Sequence, residues 1–137
     1  MAQIVSFIYC DKIQQKIVNG QLQPQVVQPL SILSPINIPS NYSFSIVCAF
    51  NGINVNEKNT LEVRFLSPIK KIVGSTGKIN LEVDDKNNKA SSVSMTFNLD
   101  FHNIILSEEG EYTTEIDLNG TLLGSYSIEV KKVSDNK

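Results

Sequence analysis

The side chains able to do chemistry are few, and their spacing limits what they could do. His102 is the only histidine, so a histidine-based metal cluster or a Ser-His-Asp triad would have to be built around it. It follows Asp100 by two residues in an alternating run, which puts both on one outward strand face. No nucleophile motif accompanies them, and a solvated Asp/His pair is the expectation. Cys10 and Cys48 could supply a thiolate, but both fall in apolar alternating runs with nothing cationic close in sequence. Apolar surroundings raise a thiol pKa, so buried free thiols are expected ahead of a disulfide, and a disulfide ahead of metal ligation. Glu108, Glu109 and Glu111, and the pair Asp84 and Asp85, gather carboxylates that could bind calcium or act as an acid and base. Neither group has the alternating spacing of a calcium loop, and both read as solvated loop charge. Gly74-Ser75-Thr76-Gly77-Lys78-Ile79 resembles a fragment of a phosphate-binding loop, but the glycine spacing, the residue after Lys78 and the missing helix all disagree with that motif. A hairpin turn is the better reading. No catalytic, metal-binding or cofactor-binding residue is therefore assigned, no binding residue is singled out, and no cofactor is expected.

The elements that would have to position any such group are strands. Tyr42, Phe44, Ile46, Cys48 and Phe50 alternate with small or polar residues, as do Leu61, Val63 and Phe65; Ile79, Leu81 and Val83; and the long row Val93, Met95, Phe97, Leu99 and Phe101. Period-two alternation marks strands with one face in a core. Gln3 to Cys10 is apolar on both parities, which predicts a central or covered strand and leaves Phe7 and Tyr9 without an assigned face. Asp11 to Leu30 is Gln-rich, with a turn at Asn19-Gly20 and breaks at Pro24 and Pro29, and reads as an irregular connection holding at most a brief helical turn and an edge strand. A short strand is expected over Leu30 to Leu33. The prolines of Ser34 to Pro39 exclude a central strand there. Asn51 to Asn59, with four asparagines, reads as a loop, Asp84 to Ser92 reads as another, and Lys131 to Lys137 as a frayed tail.

Leu106 to Val130 is the most informative stretch. The apolar rows Tyr112, Thr114, Ile116, Leu118 and Leu122, Gly124, Tyr126, Ile128, Val130 flank Asn119-Gly120. A two-residue type I′ turn pairs Leu118 with Thr121 and, carried through, sends the two rows to opposite faces. A three-residue loop, Leu118-Asn119-Gly120, with a bulge pairs Asp117 with Thr121, Ile116 with Leu122 and Thr114 with Gly124, so that both rows meet one core. The three-residue loop is the expectation. Gly110 two residues before Tyr112 resembles the tyrosine corner of immunoglobulin-like sandwiches, with a partly buried tyrosine at an ordinary turn as the alternative. Thr114 stands where a second cysteine would follow, Trp is absent, and Cys10 and Cys48 lack the usual context. An antibody-type domain is thereby excluded.

Seven to nine mostly antiparallel strands at sandwich-like spacing predict an all-β, two-sheet immunoglobulin-like sandwich forming a single domain over residues 1–137. That length suffices to bury about two-thirds of the unfolded surface without disulfide staples. The start lacks the pattern of a signal peptide and no stretch is apolar enough to span a bilayer, so a cytoplasmic chain with no membrane partner is expected. A net charge of −2 with one arginine gives no basic stripe and no expectation of nucleic-acid binding.

The IPSNYSFSI strand and the EEGEYTTEIDLNGTLLGSY corner and hairpin are similar to small uncharacterised bacterial or phage proteins with an immunoglobulin-like sandwich, over roughly Leu30 to Val130. That family has no established activity, and the resemblance implies a non-enzymatic role. The first expectation is a protein-interaction or assembly module that pairs with itself or another protein through an exposed strand or sheet face. The alternative is a small-molecule or carbohydrate-binding sandwich using the Asn-rich loop 51–59.

Overall fold

The alternating rows pair into two sheets that face each other across one apolar interior. The computed structural model describes residues 2–81 and 92–133; Val83, Asp84, Asp85 and the end of the tail lie outside them. Among the described residues ten strands run in order: β1 (Gln3–Val18), β2 (Gln21–Pro29), β3 (Ile32–Leu33), β4 (Ser40–Asn54), β5 (Asn59–Leu66), β6 (Ile72–Ser75), β7 (Ile79–Leu81), β8 (Ser92–Leu106), β9 (Gly110–Leu118) and β10 (Thr121–Val130). One sheet has the order β2-β1-β4-β8, the other β3-β10-β9-β5-β6 with β7 beside β5. All pairs are antiparallel except β10 with β3. The orders β1-β4-β8 and β5-β9-β10 reproduce the A-B-E and C-F-G sets of an immunoglobulin-like sandwich, and β6 takes the place of the strand added beside C.

The interior is filled by the rows read from the sequence. Phe44, Ile46, Cys48 and Phe50 of β4 oppose Leu61, Val63 and Phe65 of β5 and Tyr112, Ile116 and Leu118 of β9, all buried. Phe44 joins the two layers, its ring centroid 5.0 Å from Phe65 and 5.4 Å from Phe101. Phe7 and Tyr9 also point inward. Phe7 stacks on Tyr126 at 4.1 Å. The Tyr9 hydroxyl donates to the Tyr126 carbonyl at 3.1 Å and lies 2.6 Å from Thr114 Oγ1. With the phenol proton on that carbonyl, the Thr114 hydroxyl donates to the phenol oxygen. Thr114, in the position where antibody domains place a cysteine, thus ties the sheets by a hydrogen-bonded relay.

The tyrosine corner is present. Tyr112 is buried and its hydroxyl donates to the Glu108 carbonyl at 2.8 Å, closing the passage from β8 to β9. Gly110 has φ of 137° and a Cβ there would sit 2.9 Å from Pro68 Cγ. Gly110→Ala is accordingly expected to cost about 1–3 kcal/mol, from backbone strain and the clash together. A chemical denaturation curve checks this.

Five sequence expectations change. Gln3 to Cys10 is not covered on both faces, since it pairs with β4 alone until β2 joins at Cys10 and leaves Val5 and Ile8 exposed. Gly74 to Gly77 is not a hairpin turn, since Gly74 and Ser75 end β6 and both β6 and β7 pair with β5. The β9–β10 connection is the two-residue type I′ turn, not the three-residue loop: Asn119 and Gly120 both have positive φ and Leu118 pairs with Thr121. The register is restored inside β10, where the ladder shifts between Leu122 and Gly124, so Ile116 faces Gly124 and Thr114 faces Tyr126. A bulge after the turn brings Gly124, Tyr126, Ile128 and Val130 inward, but Leu122, expected opposite Ile116, stays opposite Asp117 and exposed while Leu123 packs against the core. Residues 11–30 are not an irregular connection. They complete β1 and form β2, raising the strand count to ten. The loop 51–59 is shorter than read, since β4 continues through a bulge to Asn54 and buries Ile53.

Candidate functional site

The residues with chemical potential are scattered or engaged. His102 is exposed on β8. Asp100 accepts a hydrogen bond from Ser45 Oγ at 2.5 Å, and Cys10 pairs with Ser45 on the other side, giving a row Cys10, Ser45, Asp100 across three strands. That row has the wrong electrostatics for a nucleophile. Burial pushes the Cys10 thiol up, and the carboxylates of Asp100 and Asp11 push it further in the same direction, which disfavours thiolate. Cys48 is buried in the core with its thiol pushed up to about 12 by burial. Both cysteines are free. Glu108 serves the tyrosine corner through its backbone, and Glu109 Oε2 accepts from the Lys132 amide at 2.8 Å. Among the described residues no three potential ligands gather for a metal. The Gly74 to Lys78 segment ends β6 and leads to β7, with Thr76 Oγ1 accepting from the Val63 amide at 3.0 Å.

Arg64 was not singled out from the sequence. It lies on the outer face of β5 and reaches Glu62 at 3.4 Å, Glu115 at 3.2 Å and Asp117 at 2.9 Å. Its proton is held more firmly than usual, chiefly by the hydrogen bond to Asp117, against the opposing effect of burial. The signal was available, because Glu62 and Arg64 share a parity on β5 and Glu115 and Asp117 share one on β9. Removing the cation leaves three carboxylates facing one another. Arg64→Ala is expected to cost about 1–2 kcal/mol, given that the group is only partly buried, and less in high salt. Urea unfolding at two ionic strengths reads both effects.

At the same end as the β9–β10 turn, Glu57, Glu62, Lys78, Asp117 and Asn119 line an open concavity of about 470 Å³, and a second of about 390 Å³ adjoins Asn54 and Asn59. The asparagine side chains there are bonded within the loop before β5 and between its end and the β9–β10 turn. Asn59 Nδ2 donates to the carbonyls of Asn54 and Glu57, Asn59 Oδ1 accepts from Asn119 Nδ2, and Asn119 Oδ1 accepts from the Thr60 amide.

The most distinctive feature is the opposite end. β1 pairs with β4 only from Gln3 to Cys10, and from there to Val18 its partner is β2. The result is a two-stranded arm closed by a type I′ turn at Asn19-Gly20 and extending about 25 Å past Cys10 at strand rise. Its register puts Ile13 with Val26 and Ile17 with Leu22 on one face, and Lys12, Gln14 and Lys16 with Val27, Gln25 and Gln23 on the other. The apolar face continues the parity of Phe7 and Tyr9, so it is the core face of the sheet prolonged beyond Cys10, where β1 has left β4. Ile17 and Leu22 are 70% and 69% exposed. Among the exposed large apolar residues are also Ile36, Ile69, Ile72 and Ile105. They follow β3, follow β5, open β6 and close β8, all at the end where β1 leaves β4.

Two sheets with the A-B-E and C-F-G orders, closed by a tyrosine corner and extended by an arm after strand A, define an immunoglobulin-like β-sandwich with an appendage. The chain belongs to the family of unknown function DUF6941, whose model matches residues 5–131. Among solved structures it is similar to an immunoglobulin-like protein from Pseudomonas aeruginosa, at 12% identity and a TM-score of 0.46, over 96% of this chain and 97% of that one. No curated protein matches the sequence.

Proposed function

We propose that the chain is a non-enzymatic protein-interaction or assembly module that engages its partner through the β1–β2 arm. The observation that carries this is the arm itself: a ribbon paired only within itself, apolar on one face, standing outside a sandwich that already has its full strand sets. An isolated two-stranded ribbon is marginal in water, and its free edges and apolar face are the features by which strands recognise other chains. A photo-crosslinking residue in place of Leu22, expressed in the native host, tests this. Covalent adducts are expected at Leu22 and not at a control position such as Asn54. No adduct at Leu22 contradicts the reading.

A second reading, a small-molecule or carbohydrate site, draws on the two concavities beside Asn54, Asn59 and Asn119. The internal bonding of these amides favours the first. Saturating sugars that leave the unfolding midpoint unmoved would count against the second.

A further inference from the structure

We infer that Asn19 is a modification site: its side-chain amide is lost by attack of the Gly20 backbone nitrogen, and the product alters the turn that closes the β1–β2 arm. The reaction needs only water and is independent of what the arm meets.

The chain holds the dipeptide Asn-Gly at residues 19–20, 51–52 and 119–120. This is the least hindered context for the reaction, because glycine has no side chain to obstruct its own nitrogen. The Gly20 nitrogen gives up its proton and bonds to Asn19 Cγ, and the Cγ–Nδ2 bond breaks as Nδ2 leaves with a proton as ammonia. Water then opens the succinimide ring at either carbonyl. Attack at Cγ yields aspartate, and attack at the main-chain carbonyl yields isoaspartate, in which the chain runs on through Cβ and Cγ.

Exposure does not rank the three sites, since all three asparagines are exposed. Crowding does not separate the two turns either: a Cβ built on Gly20 or on Gly120 would meet nothing within 4 Å. What separates the sites is how each amide is held. Asn119 Oδ1 accepts from the Thr60 amide at 2.7 Å, its Nδ2 donates to Asn59 Oδ1 at 3.0 Å, and its backbone N–H donates to the Thr60 carbonyl at 2.8 Å. These bonds tie the β9–β10 turn to the start of β5. Asn51 lies in the β4 ladder opposite Gln3, and its Oδ1 accepts from Ser94 Oγ at 2.5 Å. Asn19 shares the φ of 53° found at Asn119, but among the described residues its side chain has no such partner, and its turn ends a ribbon whose strands pair only with each other. Cγ reaches the glycine nitrogen only when χ1 and ψ of the asparagine rotate away from the turn. At Asn119 that rotation breaks the tethers, whereas the end of a two-stranded ribbon opens readily.

Either product adds a carboxylate. Lys12 and Lys16 against Asp11 leave residues 11–29 with one positive charge, which a carboxylate at residue 19 cancels. Isoaspartate also puts an extra carbon into the main chain, and a two-residue turn lengthened in this way no longer sets Val18 opposite Gln21. The modification thus changes both the charge and the closure of the arm without an enzyme.

The test ages the purified full chain in neutral buffer and follows the three Asn-Gly sites by proteolysis in acid and fragmentation mass spectrometry, which locates the small mass gain of an acid over an amide. Asn19 is expected to react at least about tenfold faster than Asn51 or Asn119, the factor that about 1.4 kcal/mol of side-chain tethering supplies. In strong urea the three rates should converge, since the dipeptide is the same and the tethers are gone. Equal rates in the folded chain, or a lead by Asn51 or Asn119, overturn the inference. A ranking that survives urea also overturns it, because the cause then lies in the neighbouring sequence. The isolated isoaspartyl chain should exchange its amides faster at Val18 and Gln21 than the fresh chain, with β4 and β9 unchanged. Unaltered exchange at those two residues overturns the effect on the turn.

Discussion

Phe44→Ala is expected to remove about 3–5 kcal/mol of stability, the usual cost of emptying a phenyl-sized space in a closed core. Phe44 is 1% exposed and its ring lies within 5.4 Å, centroid to centroid, of Phe65 in one sheet and Phe101 in the other. Truncation therefore opens a cavity between layers that the flanking ladders hold apart, and neither sheet can collapse into it without breaking register. Against the roughly 5–15 kcal/mol that holds a domain folded, the variant is expected near its unfolding transition at room temperature. Guanidinium unfolding measures it, and a loss below about 1 kcal/mol would mean that the core repacks around Ala.

Tyr9→Phe is the second large effect, and it changes with pH. At neutral pH the substitution removes the bridge between the Thr114 hydroxyl and the Tyr126 carbonyl, leaving Thr114, which is 0% exposed, without its partner. An unsatisfied buried hydroxyl costs about 1–3 kcal/mol. Burial pushes the Tyr9 phenol from 10.0 to about 12, with the Thr114 hydrogen bond opposing. The folded chain thus holds this proton more tightly than the unfolded chain. Its contribution is complete below pH 10 and is lost as pH rises to about 12. Cys48 adds a loss of the same sign from pH 9 upward, its thiol moving from 9.0 to about 12. The parent should lose stability steeply over this range, and Tyr9→Phe should be both weaker at pH 7 and flatter above pH 10. Unfolding midpoints measured from pH 7 to 11 distinguish the two effects, and parallel curves for parent and variant would contradict the assignment.

The sandwich could be read from the sequence because its strands each have one wet face. Tyr42 to Phe50, Leu61 to Phe65, Val93 to Phe101 and the β9–β10 pair announce their core parity, and the structure buries the rows Phe44 to Phe50 and Leu61 to Phe65 fully, Tyr42 and the row of edge strand β8 partly, and leaves Leu122 at the start of β10 exposed. Tyr112 was legible for a different reason: a glycine two residues earlier is what a corner with φ of 137° at Gly110 requires. The bulge at Leu123 was not legible, since a turn type and a later register shift can compensate each other and only their sum is fixed by burial. The arm was missed because its signals are those of a connection. Ile13 and Ile17 are four apart, which suits one face of a helix as well as a strand, and Pro24 and Pro29 read as breaks. On β2, an edge strand with one neighbour, proline is tolerated. For the ion cluster at Arg64 alternation supplied the shared parities of Glu62 with Arg64 and of Glu115 with Asp117, but not the pairing of β5 with β9 that brings the two together.

The arm is also where a single experiment is most direct, amide hydrogen exchange of the purified chain in dilute solution. A ribbon paired only within itself and awaiting a partner should exchange rapidly across residues 11–29, while β4, β5 and β9 stay protected. An arm whose amides are as protected as those of β4 in dilute solution would show that its own chain holds it in place, and would contradict its role as the element that meets another molecule.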